Sequence, residues 1–299
     1  MISNNFPTTR IPQSQIQILV QQFSNRMPFG SPPTRHVYQK AVDQLLAFSK
    51  SRAFRFTPAD FERFRLWLIN EKKLSNNTVN TYLTATRRFC EFLVDLGVLQ
   101  KNPAWSVHGS AQNYRVSRIP LSEVAKIISA IDRSSVLGRR DYAFLDLMFE
   151  CGASISELIL ADIGDLKRSG KKVELHVKPK GAISKREVIK LTESASGALF
   201  DYIDSRGMVS ADDALFTTVR AGRSMKVRLS MRGVRAAMRK RLRTDSSADL
   251  RLDSIRTYCV VRLMHQGKTS EEIRGVMRFK SNLPFRKIMT NTKVMADAK

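Results

Sequence analysis

From Thr34 onward, apolar residues recur at spacings of three and four. Val37, Ala41, Leu45 and Phe48 mark one helical face. Thr57-Pro58-Ala59-Asp60 then reads as a helix start, with Thr as cap and Pro at the first helical position; Phe61, Phe64, Leu68 and Ile69 follow as its apolar face. Another start at Leu74-Ser75-Asn76-Asn77-Thr78 leads into Val79, Tyr82, Leu83, Phe89, Phe92, Leu93 and Leu96, with Gly97 as the stop. These patterns predict a small helical domain over 34–104, closed by Asn102-Pro103. Residues 1–33 are polar and proline-rich; they read as a flexible arm with room for one short helix over 15–23. Residues 105–118 show no period and read as a linker.

A second domain, 119–299, opens at Ile119-Pro120-Leu121-Ser122-Glu123, with helical spacing through Val124, Ile127, Ile128 and Ile131. A helix is predicted from about Arg140 to Cys151, and a further helix with its exit over 154–166. Lys172–Val177 and Arg186–Leu191 alternate as short strands, with the turn KPKGAISK between them. Helices are predicted again from 193 to the end. The fold class is therefore mainly α with a small β-hairpin or sheet, an α+β chain of two domains.

Charge changes this picture from a generic globular chain to one that needs a partner. The 299 residues carry 51 Lys plus Arg against 27 Asp plus Glu, a net charge of +24. Such an excess repels itself unless an anionic partner is present, and nucleic acid fits best. No apolar run reaches the ~20 residues of a membrane-spanning helix, and the polar start lacks a signal-peptide core. Cys90, Cys151 and Cys259 lie far apart in apolar stretches, as buried free thiols would. Neither a zinc site nor any other metal or cofactor is indicated; His36, His108, His176 and His265 are scattered.

The positive charge is uneven. Residues 220–243 hold Arg220, Arg223, Lys226, Arg228, Arg232, Arg235, Arg239, Lys240, Arg241 and Arg243, with no acid. The second half is helical by spacing. Met231, Val234, Met238 and Leu242 form an apolar stripe, and Arg232, Arg235 and Arg239 share another face. One buried stripe beside one Arg stripe suits a DNA groove or its phosphate rims. Arg87-Arg88, on the long helix of the first domain, form a second basic cluster.

Four segments resemble the tyrosine recombinase (phage integrase, Xer-like) family. LSNNTVNTYLTATRRFCEFLVDLGVLQKNPA (74–104) is similar to its SAM-like core-binding domain. DYAFLDLMFECGASISELILADIGDL (141–166) has its helix–Gly–Ser-Glu-Leu–Asp-Ile arrangement. KPKGAISKREVIKL (178–191) resembles its lysine-bearing hairpin, and 252–290 follows its C-terminal motif. The resemblance implies two domains clamped around DNA, and attack by a tyrosine on a DNA phosphate. Two arginines, a lysine and two histidine-type positions assist that attack, without metal. Carried over position by position, the first arginine falls on Ser154, the lysine on Lys180, the first histidine on Asp253 and the second arginine on Arg256. The second histidine falls on Lys280 and the nucleophile on Met289. Only Lys180 and Arg256 keep the family's residue types. Asp253, three residues before Arg256, is expected to pair with it. Tyr258 reads as a packed aromatic, and Thr290 and Thr292 have no base beside them.

The expectation is thus a pseudoenzyme of the cytoplasm and nucleoid that binds double-stranded DNA. It would serve as an accessory, architectural or regulatory factor of a mobile element, plasmid or phage. Its partners would be an active recombinase or further copies of itself on DNA, with no membrane. Lys180, Arg256 and Lys280 become phosphate contacts in that reading. The alternatives are an active recombinase with a non-standard nucleophile, a transcriptional regulator, and a basic scaffold for an acidic protein.

Overall fold

The computed structural model describes residues 11, 13–26, 32–50, 54–110, 119–178, 187–242, 250–279, 285 and 288. The chain divides into two compact units, Met1–Arg115 and Val116–Lys299.

The first unit packs α1 (Gln13–Arg26), α2 (Pro32–Lys50), α3 (Pro58–Asn70) and α4 (Asn76–Asp95) around one aromatic-rich core, with a 3-10 turn at Pro103–Ser106. Thr57 caps α3: its hydroxyl accepts from the Asp60 N–H, and the Asp60 carboxylate accepts from the Thr57 N–H at 3.0 Å. Gly97 closes α4 at φ 70°, a left-handed position that glycine adopts without cost. Residues 13–26 were expected within a flexible arm. The short helix allowed for over 15–23 is present as α1, but it is packed and not loose, with Ile16, Leu19, Val20 and Phe23 buried at helical spacing. Phe23 meets Phe89 edge-on at 5.3 Å. That apolar stripe outweighs the prolines around it, since each buried side chain contributes about 1.5–3 kcal/mol. Residues 105–110, read as linker, also belong to this unit. Val107 is buried, and Asn80 Nδ2 donates to the Ser110 carbonyl at 2.8 Å.

The second unit is built on α6 (Val136–Glu150), whose Phe144, Leu147 and Met148 are fully buried. Around it lie α5 (Leu121–Ser129), α7 (Ile155–Leu160), α8 (Glu193–Asp204), α9 (Met231–Arg241), α10 (Leu252–His265) and α11 (Ser270–Met277). Strands β1 (Leu166–Ser169), β2 (Lys172–Val177) and β3 (Glu187–Lys190) form an antiparallel sheet in the order β1-β2-β3. In it Leu175 stands between Leu166 and Ile189. A second hairpin pairs β4 (Thr217–Arg220) with β5 (Arg223–Arg228), where helix was expected. Its turn, Ala221-Gly222, holds both residues at positive φ, 47° and 73°, which is the twist a two-residue hairpin loop needs.

The three cysteines are buried and unbridged. Among the described residues no helix is long and apolar enough to cross a membrane, and no group of three or more His, Cys, Asp and Glu could hold a metal ion.

Asp146 is the strained acid of this unit. Burial pushes its pKa from 3.8 up to about 6, and the neighbouring Glu150 adds to the rise. Among the described residues its Oδ2 has no hydrogen-bond partner, while Glu150 pairs with Arg262 at 3.3 Å. A folded pKa above the unfolded one means that the folded state holds the proton more tightly. Stability from this group is present below pH 3.8 and is lost as pH rises through 6. The full difference corresponds to about 3 kcal/mol. Asp146→Asn is expected to stabilise the protein at pH 7 by about 2 kcal/mol, because the amide still needs partners, with the gain vanishing below pH 4. Urea unfolding of both proteins from pH 4 to 8 checks this; a pH-independent difference would refute it.

Candidate nucleic-acid interface

The basic segment divides into charges that face solvent and charges that hold the fold. Ser230 caps α9, accepting from the Gly233 N–H at 3.0 Å. Val234 and Met238 are buried, so the helix rests on its apolar stripe. Arg232, Arg235 and Arg239 are exposed, and among the described residues no side-chain hydrogen bond or ion pair holds their guanidinia. Arg220, Arg223 and Lys226 are likewise exposed on the β4–β5 hairpin.

Two predicted contacts have other employment. Arg228 donates to the carbonyls of Ile159 (2.7 Å) and Ala161 (2.8 Å) and pairs with Asp162, fastening β5 to the end of α7. Arg87 donates to the carbonyls of Ala104 (3.2 Å) and Val107 (2.5 Å), and its own carbonyl accepts from Asn102. A planar fork of five donors suits carbonyls left open by a 3-10 turn as well as it suits phosphate. Arg88 stays exposed, paired with Glu91 at 2.8 Å.

The α9 stripe is anchored from beneath. Asp141, on α6, accepts twice from Arg140 (2.9 and 2.6 Å) through Oδ1 and once from Arg241 (3.1 Å) through Oδ2. Arg140 also donates to the Thr217 carbonyl at 3.2 Å, so one buried carboxylate ties α6 to both α9 and β4. Between α9 and the start of α10 lies an open groove of about 690 Å³. Arg235, Arg239, Arg251 and Asp253 line it, over Leu242 and Leu250.

Of the six positions carried over from the family, Ser154, Asp253 and Arg256 are described; Lys180, Lys280 and Met289 lie outside the described residues. Ser154 is the cap of α7, in a reciprocal arrangement with Glu157: its hydroxyl accepts from the Glu157 N–H, and its own N–H donates to Glu157 Oε2 at 2.7 Å. Arg256 turns inward from α10. Nε donates to the Gly152 carbonyl at 2.9 Å, Nη2 donates to the Met277 carbonyl, and the guanidinium lies 5.1 Å from the centre of the Phe279 ring. Burial draws the Arg256 pKa below its usual value, Glu157 opposes that, and Arg278 adds to the drop. Among the described residues no ion pair joins Asp253 to Arg256, which corrects the expected pairing. Asp253 is exposed on the groove instead, because Arg256 is drawn to two open backbone carbonyls. Tyr258 is buried and donates to the Ile119 carbonyl at 2.8 Å.

The residue that sequence reasoning missed is Arg278. It ends α11 in a left-handed conformation, φ 53°. From there its side chain reaches Glu157 at 3.1 and 3.0 Å, the Gly152 carbonyl at 2.8 Å and the Val276 carbonyl at 2.6 Å. Burial works to raise the Glu157 pKa, but the Arg278 guanidinium and the Ser154 hydrogen bonds bring it below the ordinary value. Gly152 sits at φ 61°, a left-handed position that glycine adopts without strain, and a Cβ there would lie 2.5 Å from Met277 Sδ, so that side chain would have to shift.

The sequence profile of the phage integrase family matches residues 117–282, and that of the phage integrase N-terminal SAM-like domain matches 20–97. The chain belongs to the phage integrase family. Among curated members, it is similar to the tyrosine recombinase XerC of Psychromonas ingrahamii, 26% identical over 236 residues and covering 76% of either chain. It is also similar to XerC of Pelotomaculum thermopropionicum, 29% identical over 228 residues, covering 71% of this chain and 72% of that one. A lambda integrase dimer bound to a COC′ core site shares the integrase fold at TM-score 0.65 and 13% identity, covering 89% of this chain and 95% of that one. XerH bound to a palindromic difH substrate does so at TM-score 0.65 and 13% identity, covering 93% and 81%.

Proposed function

We propose that this integrase-family protein binds double-stranded DNA and does not cleave it by tyrosine chemistry. It serves as an accessory, architectural or regulatory factor for a mobile element, plasmid or phage, acting in the cytoplasm on nucleoid DNA. It does so beside an active recombinase or further copies of itself. The exposed row Arg232, Arg235 and Arg239, on an acid-free helix beside a basic hairpin, carries the DNA-binding half of this reading. Each phosphate those residues neutralise contributes about −0.9 to the slope of log K against log salt.

The inactive half rests on commitments of residues. A hydroxyl stands at position 154 and is spent on a helix cap, where the reaction needs a cation against the extra charge of the transition state. Arg256 is spent on backbone carbonyls. The aromatic over Arg256 is Phe279, one residue before Lys280. Shifting the register by that one residue would move the nucleophile position from Met289 to Ile288, which packs against a small apolar cluster. Neither side chain can form a phosphoester, so the reading holds in both registers.

One observation favours the second reading, an active recombinase with a non-standard nucleophile, as does the likeness to XerC proteins. Arg278 brings a second guanidinium to the Gly152 carbonyl that Arg256 also meets. Its donors are already taken by Glu157 and two carbonyls, which weighs against that use. The deciding experiment recovers the bound DNA and rebuilds it as a nicked suicide substrate. Salt-sensitive binding without a covalent protein–DNA adduct is expected, and an adduct would overturn the inactive reading.

A further inference from the structure

The β4–β5 hairpin turns two apolar side chains to solvent in the middle of the chain's densest positive segment. Its inward side is fixed by contacts to the fold. Ser224 and Thr217 share a hydrogen bond at 2.6 Å, and Arg228 is held by the Ile159 and Ala161 carbonyls. The Leu229 N–H then donates to the Phe216 carbonyl at 2.9 Å. Side chains alternate along a strand, so Met225 and Val227, between Ser224 and Arg228, point the other way. They are 41% and 61% exposed. Apolar residues scattered singly over a surface carry no meaning. These two are outward neighbours on one strand, about 6.7 Å apart. Arg220, Arg223 and Lys226 are exposed around them, and no acid occurs from 220 to 243.

Charge selects what covers this face. A second copy would bring the same cations against themselves. The occupant that fits is anionic at its rims and apolar on its floor. A duplex has that arrangement: phosphates border the major groove, and each thymine presents a C5 methyl group within it. The groove is wide enough for a two-stranded ribbon. Only Leu229 and Ser230 separate β5 from α9, so the hairpin continues the surface that carries the exposed arginine row. We infer that the β4–β5 hairpin is a second DNA-reading element, in which Met225 and Val227 contact thymine methyl groups while Arg220, Arg223 and Lys226 hold the flanking phosphates. This rests on the DNA-binding reading above.

The test selects duplexes from a random pool with the full chain. Each thymine of the selected site is then replaced in turn by uracil, which removes the methyl group and nothing else. Affinity at fixed salt is measured for wild type and for the double variant Met225→Ser with Val227→Ser, with thermal melts to confirm that both are folded. Wild type should bind about fourfold more weakly for each contacted methyl removed, the scale of one such group returned to water. The double variant should bind the thymine site about as weakly as wild type binds the site without those methyls, and should not distinguish the two. A site at which no thymine methyl matters, or a methyl preference that survives in the double variant, would overturn this inference and leave DNA binding intact. So would self-association of the wild type without DNA that the double variant loses, since the face would then join two copies. Failure to bind any duplex at low salt would overturn both.

Discussion

Asp141→Ala is expected to lose about 3–5 kcal/mol of unfolding free energy, the scale found when one member of a buried ion pair is removed. Asp141 and Arg140 are almost wholly buried, at 2% and 4% side-chain exposure. Three of the hydrogen bonds that satisfy their charges end on the one carboxylate. Without it Arg140 keeps, among the described residues, only the Thr217 carbonyl, and a buried guanidinium is left without its anion. Replacing both residues, as Arg140→Met with Asp141→Leu, should recover most of the loss, since a well-packed apolar pair is often as stable as the ion pair. The functional effect is separable from stability. Arg241 lies in the last turn of α9, so losing Asp141 releases the end of the helix that presents Arg232, Arg235 and Arg239. Urea unfolding and DNA affinity, measured below the unfolding transition, read the two effects. A stability loss under about 1 kcal/mol would show that the cluster is not what holds α9.

The elements legible in the sequence were those whose local chemistry agrees with their packing. Thr57-Pro58 and Gly97 mark real helix ends because capping and positive φ depend on nearby residues alone. The α9 stripe was legible for the same reason: the buried Val234 and Met238 lie at the spacing the helix requires. What escaped was long-range. The β4–β5 hairpin was obscured by its charges, although Ala221-Gly222 between alternating residues carried a turn signal. Charge counting could not separate Arg228, bound to carbonyls nearly seventy residues away in sequence, from Arg232 on the open surface. Guanidinium donors satisfy carbonyl and phosphate oxygens alike, and only the fold decides which is near. The role of Arg278 had no local signal, because an arginine in a left-handed conformation is explained only by the Glu157 it reaches.

That pair carries the second large effect. Arg278→Ala should cost about 3–5 kcal/mol at pH 7, by leaving the Glu157 carboxylate buried beside α7 without its cation. The pH dependence follows from the lowered Glu157 pKa. Stability from a depressed carboxylate is present above the unfolded value and is lost as pH falls through the folded one. In the variant the unpaired carboxylate is instead raised, and protonation relieves it. The difference between the two proteins should therefore be greatest near neutrality and shrink below pH 4.5, the ordinary value for this group. Arg278→Gly should be milder than Arg278→Ala by about 1 kcal/mol, because glycine adopts φ 53° without strain. Equal losses in the two variants would show that the backbone conformation is not held by the ion pair. A loss that is flat from pH 3 to 8 would show that Glu157 is not its partner in stability. The expected pattern makes Arg278 a brace between the end of α11 and the start of α7.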